Sequence, residues 1–253
     1  MGSARRILIL GGTTEASALV RRLAFDSRFH SIVSFARRTS MPGTPDCEVR
    51  IGGFGGPDGL SSYLRREAID IVIDATHPFA RHMRWNAAEA CTDRNIPRLR
   101  LERAPWQQQA GDLWHLVPDI DQAAAALAWS QRIFLTVGRR DLGAFDGYER
   151  KWFLIRAVDP PGFDSYGLDP PLLGEVLRTR GPYTVESEIE LINTRRIDTI
   201  VSENSGGGAT EAKITAARRL GIKVVMVERP PNPDGPLLKT VEDALAWLAQ
   251  ITS

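Results

Sequence analysis

RRILILGGTTEASALV, residues 5–20, decides how the chain is read. Residues 5–10 are an apolar run that begins on Arg5 and Arg6 and stops at Gly11 and Gly12. A continuous run of this length suits a strand buried on both faces, as in a parallel sheet. Residues 14–24 then set Ala16, Leu19, Val20 and Leu23 at helical spacing. Strand, glycine turn and helix make the opening of a βαβ unit. In open parallel sheets, ligands bind outside the carboxyl ends of the strands, where this turn lies.

Outward from that turn the alternation continues. Strand patterns fall at residues 31–36, 47–51, 69–75 and 97–101, with helices at 58–68, capped by Asp58, and 80–94. Around residues 102–114 the pattern breaks, with Pro105 and a run of three glutamines. It then resumes with helices at 120–130, 184–195, 210–220 and 241–249 and strands at 132–137, 152–158, 198–202 and 224–228; residues 160–171 form a proline-rich loop. Alternation of this kind predicts α/β lobes with parallel sheets and right-handed crossovers. The break places the lobes at 1–104 and 105–253.

Bulk properties narrow the function. In 253 residues, 43% are hydrophobic and 25% charged, enough for real cores. The net charge of +1 provides no global field for nucleic acid or an anionic membrane, so neither is expected as a partner. Cys47 and Cys91 form no disulfide framework and are read as reduced thiols. The N-terminal stretch lacks a signal-peptide core, and no apolar run reaches the ~20 residues that span a bilayer; a cytoplasmic protein is expected.

The chemistry-bearing motifs all sit at strand exits. Gly11, Gly12, Thr13, Thr14 and Glu15 open the first helix, where free N–H groups and the helix dipole favour a phosphate. Arg37 and Arg38 follow the second strand, where an NAD enzyme carries an acid for the ribose; a guanidinium there suits the 2′-phosphate of NADP. Thr76, His77 and Pro78 follow the fourth strand, and His77 is the one candidate acid among them. His82 lies off a common helical face with His77, and no acidic partner stands at ligand spacing, so no metal site is expected. In the second lobe Arg139, the run Ser202, Glu203, Asn204, Ser205 and Gly206, and Arg229 also follow strands. Two such edges facing each other would form a cleft for a large polyanion.

These motifs, in this order, resemble the precorrin-6A reductases of cobalamin biosynthesis. The resemblance rests on ILILGGTTEA (7–16), DATHPFA (74–80), FLTVGRRDL (134–142), RGPYTVESE (180–188), SENSGG (202–207) and AAR-LGI-VVM-ERP between 216 and 230. It implies two Rossmann-like lobes with an active-site cleft between them, and NADPH as cofactor. The implied reaction is reduction of one double bond of the precorrin-6A macrocycle, a polycarboxylate, to give precorrin-6B. Arg139, Ser202, Glu203, Asn204, Ser205, Gly206 and Arg229 would then meet the macrocycle. Glu203 departs from the family pattern, in which a lysine often stands. Alternatives are a cobalt-precorrin-6A reductase of the anaerobic pathway and a non-catalytic tetrapyrrole- or dinucleotide-binding module. A sugar-nucleotide dehydratase is disfavoured: Tyr148 is followed four positions on by Trp152 and Tyr183 by Ser187, where that chemistry needs lysine.

Overall fold

The structure, a computed structural model, describes residues 4–36, 47–148, 150–157, 173–179 and 181–252. The chain divides into two compact units, 1–104 with 231–253 and 105–230.

Unit 1 begins with β1 (Arg5–Leu10), α1 (Thr14–Leu23), β2 (Phe29–Phe35), β3 (Glu48–Ile51) and α2 (Gly56–Arg66). It continues through β4 (Ile71–Asp74), α3 (Arg81–Arg94) and β5 (Arg98–Leu101). Its sheet is parallel, in the order β12-β5-β4-β1-β2-β3, where β12 (Leu237–Leu238) comes from the far end of the chain. Residues 7–10 of β1 are at most 2% exposed, which is why this strand reads as an unbroken apolar run. One face packs Ile7, Ile9 and Val33 on Leu19 and Val20 of α1; the other packs Leu8, Leu10 and Val72 on Leu60 and Leu64 of α2 and Ala87 and Ala90 of α3.

Unit 2 holds β6 (Leu113–Val117), α4 (Ile120–Ala125), β7 (Arg132–Thr136), a 3₁₀ segment (Arg139–Phe145), β8 (Trp152–Ala157) and β9 (Gly174–Arg178). It ends with α5 (Val185–Arg195), β10 (Thr199–Glu203), α6 (Ala212–Leu220) and β11 (Lys223–Val227). This sheet is also parallel, ordered β6-β11-β10-β7-β8-β9. Phe134, Ile200 and Met226 form its core with Ile192 of α5 and Ile214 of α6.

The structure corrects several expectations. Residues 105–253 are not one unit: from Pro231 the chain returns to unit 1. There β12 pairs with β5, and Ala244 and Leu248 of α7 (Val241–Thr252) fill the core beside α1. Burial of that apolar helix face is a long-range event with no local signature. Asp58 does not cap α2; the helix starts at Gly56 after Gly55, with proline in its first turn and Asp58 behind it. The break at 102–114 conceals β6, whose Leu113 and Leu116 are about half exposed because it is an edge strand. β9 and the two-residue β12 also went unread, being short and bounded by glycine or proline. Arg37, Arg38 and all of the proline-rich loop lie outside the described residues.

Candidate functional site

In each sheet the strand order reverses once, and the strands on either side of the reversal leave their exits in opposite directions. Such a switch point is where open α/β sheets bind ligands.

In unit 1 it falls between β1 and β4, with Leu10 opposite Asp74. Gly11 is needed for packing: a Cβ there would lie 2.8 Å from the Phe35 ring. Gly12 is needed for conformation, at φ 122° with open space on the side of the missing Cβ. Thr13 caps α1, accepting from the Ala16 N–H at 3.1 Å, and its hydroxyl donates across the switch point to the Ala75 carbonyl at 2.8 Å. The Thr13 proton is thus engaged, and the Thr14 hydroxyl donates to Glu15 at 3.1 Å. The donors left over at this turn are main-chain. The N–H groups of Thr14 and Glu15 take no hydrogen-bond partner among the described residues. Glu15 would repel a phosphate, but Arg103 pairs with it at 2.9 Å.

Across the switch point a buried charged network shapes the Thr76–Pro78 segment. Asp74 is 0% exposed; its Oδ1 accepts from the Thr76 N–H at 3.1 Å and hydroxyl at 2.7 Å, and meets Arg100 at 2.8 Å. Arg100 also reaches Glu102 at 2.5 Å. Fully buried Arg84 donates to the Pro78 carbonyl and reaches the Pro231 carbonyl at 3.4 Å and Glu102 at 3.4 Å. The Thr76 hydroxyl is thus engaged within the protein. His77 Nδ1 accepts from the Phe79 N–H at 3.3 Å, which leaves Nε2 as the donor of the neutral ring. Sequence reading missed Arg84, Arg100 and Glu102. The available signal was an arginine alternating with leucine in the buried run 98–101.

In unit 2 the switch point lies between β7 and β10. Glu203, at the end of β10, spans it: Oε1 accepts from the Gly138 N–H at 3.2 Å. Burial pushes the Glu203 carboxyl up to about 7; the Gly138 hydrogen bond opposes the rise and Asp141 adds to it. The Asn204 side chain grips the main chain of Trp106, accepting from its N–H at 2.8 Å and donating to its carbonyl at 3.2 Å. Arg229 donates to the carbonyls of Asn204 and Ser205 at 2.8 and 2.9 Å. Gly206, at φ 67°, turns the loop. Glu203, Asn204, Ser205, Gly206 and Arg229 therefore meet at one exit, with half-buried Arg139 opening the 3₁₀ segment across from it. Ser202 does not join them; it is 0% exposed and donates to the Glu203 carbonyl at 3.2 Å. Both cysteines are free thiols, and burial pushes Cys91 up to about 12. Among the described residues no helix is long and apolar enough to cross a membrane.

Two parallel, helix-flanked sheets, each with a glycine-marked switch point, define a protein of two Rossmann-like lobes. The family model described as precorrin-6x reductase CbiJ/CobK matches residues 6–249, and the chain belongs to that family. It is 45% identical over 251 residues to a precorrin-6A reductase of Rhodococcus erythropolis, covering 98% of each chain. It is 44% identical to the Rhodobacter capsulatus precorrin-6A reductase, covering 96% of each, and 27% identical to a cobalt-precorrin-6A reductase of Priestia megaterium, covering 97% of this chain and 99% of that one. The solved structure of a CobK precorrin-6A reductase superposes with a TM-score of 0.88 at 42% identity, covering 97% of each chain.

Proposed function

We propose that this chain is an NADPH-dependent reductase that converts precorrin-6A to precorrin-6B in cobalamin biosynthesis, with the cofactor on unit 1 and the macrocycle on unit 2. The observation that carries the cofactor site is the turn after β1. Gly12 offers open space at a positive φ, and two helix-start N–H groups stand ready for a phosphate. The higher identity to precorrin-6A reductases, 45% against 27%, favours the cobalt-free substrate over the cobalt-containing one.

When bound, NADPH supplies a hydride; the protein binds, orients and excludes side reactions. Gly11–Glu15 would hold the pyrophosphate, Arg37 and Arg38 the 2′-phosphate, and Thr76, His77 and Pro78 the nicotinamide half. His77 contributes its Nε2–H as a hydrogen-bond donor there. The Asp74–Arg100–Glu102–Arg84 network would hold that segment at both ends, because Thr76 is tied to Asp74 and Arg100 and the Pro78 carbonyl to Arg84. On unit 2, Arg139 and Arg229 bring positive charge to the carboxylates of the substrate, and Ser205 and Gly206 bring close main-chain approach.

Steady-state kinetics with both nicotinamides tests this assignment. Arg37→Ala should raise the KM for NADPH by roughly 10-fold or more and leave that for NADH nearly unchanged. Equal effects on both would remove the 2′-phosphate role. Purified protein that neither binds NADPH nor oxidises it in the presence of precorrin-6A would remove the function.

A further inference from the structure

We propose that Glu203 is the acid that delivers the proton in this reduction. The proposal rests on the reading above that the macrocycle lies at the switch point of unit 2.

Three observations carry it. Glu203 is the last residue of β10, the strand beside the reversal, so its side chain lies where a ligand of this sheet would sit. It is 9% exposed, and its carboxyl spans the switch point to the Gly138 N–H at 3.2 Å. Asp141 of the 3₁₀ segment comes to the same place. A methyl group on Gly138 would stand 3.1 Å from Asp141 Oδ2 and 3.4 Å from Glu203 Oε1. Two carboxyl groups converging on one Cα resist ionising together, and the more buried one retains its proton. Burial raises the Glu203 carboxyl to about 7 and Asp141 adds to the rise; the Gly138 N–H and Lys213 of α6 oppose it. Lys213 donates to the Thr210 carbonyl at 3.2 Å, and Arg229, at the β11 exit, holds the Asn204 and Ser205 carbonyls.

Reduction of a double bond needs a hydride and a proton. A hydride given up by NADPH, which is oxidised to NADP+, forms a C–H bond at one carbon; the π bond breaks, and its electron pair is left for the other carbon. That pair takes the proton as the Glu203 O–H bond breaks. The resulting carboxylate is stabilised by the Gly138 N–H and the positive charge of Lys213. It takes a proton back from water before the next turnover. A carboxyl that titrates near neutrality suits proton delivery, because it holds a proton at working pH and still releases it readily.

The test is a pH series on the full chain, reading kcat with NADPH and precorrin-6A and, separately, thermal unfolding without cofactor or substrate. Wild-type kcat should fall as pH rises through about 7. Glu203→Gln should lower kcat by roughly 100-fold, abolish that falling limb and leave the KM for NADPH unaltered. Asp141→Asn removes the like charge, so the limb should move to lower pH, and the pH midpoint of the unfolding curve should move with it. A Glu203→Gln protein that keeps kcat within about 3-fold of wild type, or retains the limb, overturns the proposal. Should that variant fail to fold, the Asp141→Asn profile decides alone, and an unmoved limb overturns it. Arg139→Ala separates this idea from the site itself. A raised KM for precorrin-6A keeps the macrocycle on unit 2 whatever becomes of Glu203; an unchanged one removes both.

Discussion

The two switch points are bridged by different chemistry. In unit 1 the bridge is a hydroxyl, with Thr13 donating to the Ala75 carbonyl at 2.8 Å. In unit 2 a hydroxyl also crosses, Thr136 donating to the Val201 carbonyl at 3.0 Å, but a carboxyl is added, with Glu203 accepting from the Gly138 N–H at 3.2 Å. The hydroxyl is neutral across the working pH range; the carboxyl changes charge near pH 7. The surrounding charges follow the same division. Two buried acids of unit 1, Asp74 and Glu102, each meet an arginine within 3.5 Å. In unit 2 buried Glu188 likewise meets Arg156 at 2.8 Å, but Glu203, the buried acid at the switch point, has a second carboxyl, Asp141, close by. Unit 1 therefore presents a fixed scaffold, which would suit the cofactor proposed to bind there. Unit 2 presents a titrating carboxyl, which would suit the proposed delivery of a proton to the substrate there.

The comparison can be broken at its strongest point first. Arg100→Met leaves Asp74 and Glu102 buried without their shared cation, which should cost about 3–5 kcal/mol in denaturant unfolding. A loss below about 1 kcal/mol would mean that the network is not what holds the Thr76–Pro78 segment.

Glu203→Gln probes the other side, and its sign is opposite. The folded-state value lies above the unfolded one, so the native chain binds more protons between pH 4.5 and about 7 and loses stability as pH rises through that window. Glutamine keeps the shape and cannot ionise. The variant should match wild type near pH 5 and exceed it by about 3 kcal/mol at pH 8, measured by urea unfolding at both values. A pH-independent difference would contradict a buried, titrating carboxyl.

The smallest effect belongs to the hydroxyl bridge. Thr13→Val removes both the cap of α1 and the link to Ala75, at a cost of about 1 kcal/mol that should not vary with pH. If that cost changed between pH 5 and pH 8, the contrast between a neutral and a titrating bridge would lose its basis.

Much of the fold was legible because it is local. The run 5–10, the helical spacing of Ala16, Leu19, Val20 and Leu23, and the alternation through 101 each report burial periodicity within a few residues. The site was legible as a set of strand exits, since Gly11, Gly12 and the 202–206 run stand between a strand and a helix. What those side chains do there was not. Thr13, Asn204 and Arg229 were read as ligand contacts, and each also holds main chain in its own unit. A polar residue at an exit looks the same in sequence whether it faces a ligand or ties down a loop.

The sequence by itself determined two parallel α/β lobes, the positions of their exits and the family, because strand and helix periods and ordered motifs are carried along the chain. Only the tertiary structure decided that residues 231–253 complete the first unit rather than the second. It alone placed Arg84 and Arg100 against two buried acids, and Glu203 against Gly138 and Asp141. The reason is the same in each case. Burial and charge pairing depend on which distant segments close on one another, and that closure has no period to read.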